Sequence, residues 1–168
     1  MLQFDRSAHR WWQKPLVHVD GRDLPAELVV LEAQLGAGES GAWLNSRGVT
    51  SGVVNVVRDS AGKFKSVRAR LPDPVTARLR ALYSATGLRK GAPDLVIWDG
   101  GALAIRFVEV KNPHWDHVSP EQLSFHRVAA AQSCPVVIVE WEFRATQKDA
   151  DRSVAQQRVS RDTGDNGC

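Results

Sequence analysis

Three side chains near the middle of the chain have the types and spacing for phosphate chemistry: Asp94, Glu109 and Lys111. Asp94 opens one strand-like run, Asp94–Trp98. Glu109 and Lys111 close another, Leu103–Lys111, with the turn-forming Asp99-Gly100-Gly101-Ala102 between the two. A two-residue loop pairs Asp99 with Ala102, and a four-residue loop pairs Trp98 with Leu103. Both give one register, in which Asp94 lies opposite Phe107. Side chains alternate along a strand, so Asp94 then shares a face with Phe107, Glu109 and Lys111. Glu109 becomes its diagonal neighbour, about 7 Å away. A three-residue loop would turn Asp94 to the other face. Leu103, Ile105 and Phe107 make this face apolar until Glu109 and Lys111 interrupt it.

Two acids and an ammonium at the end of a buried strand are unfavourable as structure alone, whereas a hard divalent cation and a phosphate would balance them. Mg2+, with Mn2+ as a substitute, suits carboxylate, carbonyl and water ligands. A water acidified by such an ion and oriented by Lys111 is a competent nucleophile at phosphorus. Read by itself, Glu-Val-Lys also fits a surface strand end carrying an ion pair.

The elements that must position these groups follow from local signals. Asp23 as N-cap and Pro25 in the first turn predict a helix from Asp23 to about Leu35, ended by Gly36 and Gly38. At about 100° per residue, Leu24, Leu28, Leu31 and Leu35 form one stripe; Glu32 falls inside it and Glu27 at its edge. A carboxylate facing the core is costly unless it is paired or binds metal, so Glu32 is a candidate fourth metal-site residue, and a Glu that snorkels at the rim or pairs with an Arg is the other reading. Val53–Val57 and Phe64–Arg70 read as a hairpin around Asp59-Ser60-Ala61-Gly62. A second helix runs from Asp73 (N-cap) and Pro74 to Gly87, with Val75, Leu79, Leu82 and Tyr83 inward. Ser119, Pro120 and Gln122 spell a capping box for a third helix ending near Ser133, and Pro135–Trp141 reads as a buried strand.

Size and composition bound the answer. The chain has 168 residues, 43% apolar and 24% charged, which suits one globular domain. No apolar run approaches the length of a membrane span, and the N-terminus lacks the order of a signal peptide, so the expectation is cytoplasmic with no membrane partner. Cys134 and Cys168 give no disulfide or zinc framework, which fits a reducing compartment. Net charge is only +3, yet residues 58–90 hold nine basic against two acidic side chains, a local balance of +7 that leaves −4 for the rest. Such segregation is the footprint of a polyanion partner, although a solvated basic surface would look the same. The residues offered to a nucleic acid are Arg58, Lys63, Lys65, Arg68, Arg70, Arg89 and Lys90. Residues 1–22 read as a loosely ordered arm, and 146–168 as a polar, disordered tail. His9-Arg10-Trp11-Trp12-Gln13-Lys14 in the arm mixes rings and cations as single-strand binders do, although aromatics docking the arm on the core explain it better.

Gly91-Ala92-Pro93-Asp94-Leu95-Val96-Ile97-Trp98, Phe107-Val108-Glu109-Val110-Lys111-Asn112-Pro113 and Ser119-Pro120-Glu121-Gln122 occur in order. Together they resemble the VRR-NUC branch of the PD-(D/E)XK nucleases over about residues 89–141. The resemblance implies an α/β, restriction-endonuclease-like core, a central mixed β-sheet flanked by helices, spanning 23–145. It implies that Asp94, Glu109 and the Val110 carbonyl ligate metal, joined by an upstream Glu for which Glu32 is the best match by position and facing and Glu27 the fallback. Lys111 would assist the attacking water and Gln122 support the site. DNA is the implied partner, and a structure-specific (junction or flap) endonuclease the implied activity, with a homodimer possible because a four-way junction is two-fold symmetric. The loop after Lys111 departs from the family's Gly-Pro pattern and carries His114 and His117. A non-catalytic nucleic-acid-binding module on the same fold is the alternative. A small-molecule enzyme is disfavoured by the absence of a Gly-rich phosphate loop or a Ser/His pair.

Overall fold

Short apolar runs punctuated by Gly and Pro leave little room for long elements. In the computed structural model they become nine strands and three helices among the described residues, 1–11, 14–44, 49–88 and 90–145. The strands are β1 (Leu2–Trp11), β2 (Lys14–Val19), β3 (Arg22–Leu24), β4 (Ser40–Trp43), β5 (Ser51–Arg58), β6 (Phe64–Arg70), β7 (Leu95–Trp98), β8 (Ile105–Lys111) and β9 (Val136–Phe143). The helices are α1 (Ala26–Gln34), α2 (Asp73–Thr86) and α3 (Pro120–Ala131). One sheet runs in the order β3-β2-β1-β9-β8-β7-β4-β5-β6. It is parallel where β9 meets β1 and β8, and antiparallel at the other pairings. This is the mixed sheet flanked by helices that the sequence implied.

Each face of the sheet buries its own core. On one face, Leu28, Val29, Val30 and Leu31 of α1 pack with Leu95, Ile97, Val108 and Val110. On the other, Val75, Leu79 and Leu82 of α2 and Phe125 of α3 pack with Val96, Ile105 and Phe107. The period-2 alternation of β7 and β8 thus feeds two cores at once, which is why these strands read as continuous apolar runs.

The N-terminal 22 residues are not a loose arm. β1 and β2 form a hairpin, and β1 joins β9 through Leu2↔Trp141 to Phe4↔Phe143. Trp11 is buried and meets Trp43 edge-on, with ring centroids 5.7 Å apart, so docking explains it. Trp12 and Gln13 lie outside the described residues, as does the 146–168 tail.

These strands also change α1. Asp23 sits in β3, paired with His18, and the helix starts after Pro25. Ala26 through Leu31 are all buried, so burial is graded along the helix axis and not around it. Leu16, Val17 and Leu24 share the core with the helix's first turns, and the single-stripe argument fails there. α2 starts after Pro72, not with Asp73 as its cap; the Asp73 carboxylate goes to Arg70 instead. Its end is as read, at Gly87 with φ 65°. β9 is less buried than expected, with Val137 and Ile138 nearly half exposed, because β1 covers its outer edge only from Trp141 onward. Among the described residues no helix is long and apolar enough to cross a membrane.

Candidate active site

The register of β7 on β8 runs from Leu95↔Val108 to Trp98↔Ile105. Continued by one residue, it places Asp94 directly opposite Glu109 rather than opposite Phe107. The connection is longer than read: Asp99 N–H donates to the Ala104 carbonyl, and the Asp99 carboxylate accepts from the Leu103 and Ala104 amides at 2.8 and 3.3 Å. Leu103 therefore belongs to the loop and is 84% exposed. The loop has grown by an even number of residues, so Asp94, Glu109 and Lys111 still share a face. The shift converts a diagonal carboxylate pair into a direct one.

α3 is built to hold Glu109. Ser119 Oγ accepts from the Gln122 amide, and Gln122 Oε1 accepts from the Ser119 amide at 2.9 Å, completing the capping box. The same Gln122 donates through Nε2 to Glu109 Oε1. Lys111 Nζ lies 2.8 Å from Glu109 Oε1, 3.0 Å from Asp116 Oδ1 and 3.4 Å from Gln122 Oε1. One turn on from Gln122, His126 Nε2 stands 3.7 Å from the other Glu109 oxygen, Oε2. Glu109 is fully buried, and its Oε2, like His126 Nε2 and Asn112 Nδ2, makes no hydrogen bond. A buried anionic oxygen without a donor is costly and calls for a cation.

Electrostatics point the same way. Burial, then the charges of Glu109 and Glu27, push the Asp94 carboxyl up to about 8, against the pull of the Val110 amide and Lys14. The Val110 N–H donates to Asp94 Oδ2 at 3.0 Å, tying the two strands together at the site. Burial alone would lower the Lys111 ammonium, but hydrogen bonds and charge from Glu109 and Asp116 hold it above its usual value. The centre thus contains two carboxylates that repel and one lysine that stays protonated.

The upstream acid is the main relocation. Glu32 is half exposed and grips Arg22 with both oxygens at 3.0 and 2.7 Å, away from the cluster. Glu27 is the buried one, 2.6 Å from Lys14 Nζ, and its charge reaches Asp94. Lys14 in turn lies over the Trp43 ring and feels both Asp94 and Asp116. Among the described residues no three His, Cys, Asp or Glu side chains are gathered as a ready-made metal cage. The donor set that the register brings together is two carboxylates, Asp94 and Glu109, both hard oxygens. It fits an ion that keeps most of its waters, as Mg2+ does.

Lys14, Asp116 and His126 escaped sequence reading. His126 left a signal, since it sits four residues after Gln122 and shares its helical face. Asp116 follows Lys111 closely but on an irregular loop. Lys14 left none, because its place depends on β1 and β2 being strands.

The basic residues are dispersed over the surface in exchangeable pairs. Arg58 reaches Asp23 at 3.0 Å, Lys65 reaches Asp59 at 3.1 Å, Arg70 reaches Asp73 at 2.7 Å and Lys90 reaches Glu121 at 2.9 Å. Arg68 lies along Ser51, and Lys63 sits at the β5–β6 turn. Arg89 lies outside the described residues. In each pair the basic side chain is exposed, and in Arg70–Asp73 both partners are, so a phosphate can compete for the cation at a solvent-screened surface.

The sequence pattern of the VRR-NUC domain matches residues 39–142. Among solved structures, the chain is similar to paFAN1 bound to 2-nucleotide 5′-flap DNA with a gap, at 27% identity over 43% of this chain and 14% of that one, with a TM-score of 0.35. It is also similar to paFAN1 bound to 1-nucleotide 5′-flap DNA with a gap, at 30% identity over 45% and 14%, with a TM-score of 0.35. Each likeness spans only that 14% of the longer chain. No curated protein matches the chain.

Proposed function

The chain belongs to the VRR-NUC domain family, and on that premise we propose that it is a divalent-metal-dependent deoxyribonuclease that hydrolyses DNA phosphodiester bonds, structure-specific for a junction or flap. The observation that carries this reading is the buried Glu109, opposite Asp94 in register, with one oxygen gripped by Gln122 and Lys111 and the other without a donor.

Asp94, Glu109 and the Val110 carbonyl are the groups that would hold Mg2+, or Mn2+ in its place, and Glu27 rather than Glu32 would join them, a reading supported by its burial and its charge acting on Asp94. When bound, such an ion supplies Lewis acidity toward a phosphoryl oxygen and acidifies a water. Lys111 remains protonated and donates toward the attacking water and the phosphate. Gln122 fixes the Glu109 carboxylate so that its free oxygen keeps one direction. Lys63, Lys65, Arg68, Arg70 and their neighbours Arg58, Arg89 and Lys90 would grip the phosphate backbone, contacts that carry no sequence information. On a four-way junction the acting species would be a homodimer, since the two cuts are related by two-fold symmetry.

The test is a cleavage panel with Mg2+, Mn2+ or chelator against duplex, single-stranded, flap and four-way-junction DNA. Metal-dependent cleavage strongest on a junction or flap is the expected result. Tight DNA binding without cleavage under any ion would replace the nuclease by a binding module on the same fold.

A further inference from the structure

The loop between β8 and α3 carries an aromatic ring that the chemistry above does not use. Trp115 is 55% exposed, yet its loop is fixed. Asn112, almost fully buried, accepts the Trp115 and Asp116 amides on its carbonyl at 3.2 and 2.9 Å, and the His114 amide on its side chain at 3.0 Å. The ring stands edge-to-face on Trp141, centroids 5.9 Å apart at 85°, and leans on Phe143 at 6.2 Å. The His114 ring flanks it at 6.3 Å. The Arg6 guanidinium lies 4.2 Å above the Phe143 ring, so a cation borders the same aromatic group.

Position gives this ring its meaning. The next residue, Asp116, holds Lys111 Nζ at 3.0 Å, so the loop that carries the ring also borders the candidate site, while the ring itself rests on Trp141 and Phe143. A large ring braced by other aromatic rings and still more than half exposed is the arrangement on which single-stranded nucleic acids stack their bases. A base inside an intact duplex has both faces covered by its neighbours and cannot use it.

We propose that Trp115 is a stacking platform for an unpaired nucleobase of the DNA strand held at the site. This rests on the DNA-nuclease reading and narrows its substrate class to DNA with unpaired nucleotides next to the scissile phosphate.

The experiment measures binding of the full chain, without divalent ion, to two probes of equal length. One is a duplex with a single-stranded tail carrying 2-aminopurine, and the other is a fully paired blunt duplex with G·C pairs at both ends. Trp115→Ala is expected to weaken binding to the tailed probe on the order of tenfold and to abolish quenching of 2-aminopurine, with an effect below about twofold on the blunt duplex. Trp115→Phe, which keeps a ring, should retain most of the affinity. The platform is overturned if Trp115→Ala leaves both probes unchanged, if it weakens both equally, or if Trp115→Phe is as weak as Trp115→Ala. Trp115-dependent tail binding by a wild type that cuts nothing would leave the platform standing and remove the nuclease reading. A wild type that binds neither probe removes both.

Discussion

The two charged regions of this protein are built on opposite principles. At the junction of β7, β8 and α3, charges are buried, few and held in one geometry, with Glu109 fixed by Gln122 and Lys111. On the β5–β6 hairpin and α2, the basic side chains are many and exposed, and in the pair of Arg70 with Asp73 both partners are about 80% exposed. Burial makes the first arrangement expensive and directional; exposure makes the second cheap and exchangeable. A device that must cut one bond on an otherwise featureless polyanion needs both kinds.

That contrast can be broken by experiment. Neutralising Lys63, Lys65, Arg68 and Arg70 together should weaken DNA binding about a hundredfold or more at moderate salt. It should also flatten the slope of log K against log salt by about 3, while thermal stability hardly moves. An unchanged slope would place the grip elsewhere.

Gln122→Ala acts on the buried region. Loss of its capping role costs about 1 kcal/mol, measurable by denaturation. Loss of its hold on Glu109 should also slow cleavage at unchanged DNA affinity; a purely structural residue would lower only stability.

The pH behaviour sharpens the comparison further. The Asp94 carboxyl is raised in the folded state from its ordinary 3.8 to about 8, so across that window the folded chain binds the proton more tightly than the unfolded one. Stability of the metal-free protein should therefore fall as pH rises toward 8. Asp94→Asn should remove that slope, and Mg2+, which favours the ionised form, should offset it. A wild type and an Asp94→Asn variant with parallel pH profiles would show that Asp94 is not raised.

The smallest effect is expected at Glu32. Its exposed pair with Arg22 should make Glu32→Ala nearly silent in both cleavage and stability, within about 1 kcal/mol, whereas Glu27→Ala should weaken divalent-ion binding. Equal consequences at the two positions would undo the reassignment.

How far these features could be read in advance follows from locality. The face shared by Asp94, Glu109 and Lys111 rested on strand parity, which survives a change of loop length by two residues. The exact partner did not survive, because it depends on how Asp99 organises the turn. The Ser119 capping box was legible because all its parts lie within four residues. That Glu27 is buried and Glu32 half exposed was not legible, because the periodicity of a helix says which side is buried, not which end. Here β1 to β3, pairing far along the chain with β9, close over the first turns only. Lys14 was invisible for the same reason. The basic window was legible as a sum, but its partners Asp23 and Glu121 come from outside it and soften the field.

The most direct test of the account is single-turnover cleavage of saturating junction or flap DNA by Lys111→Ala in Mg2+. The expected rate is lower than wild type by about a thousandfold or more, with a dissociation constant changed less than about twofold. A rate within about tenfold of wild type would contradict a site centred on Asp94, Glu109 and Lys111.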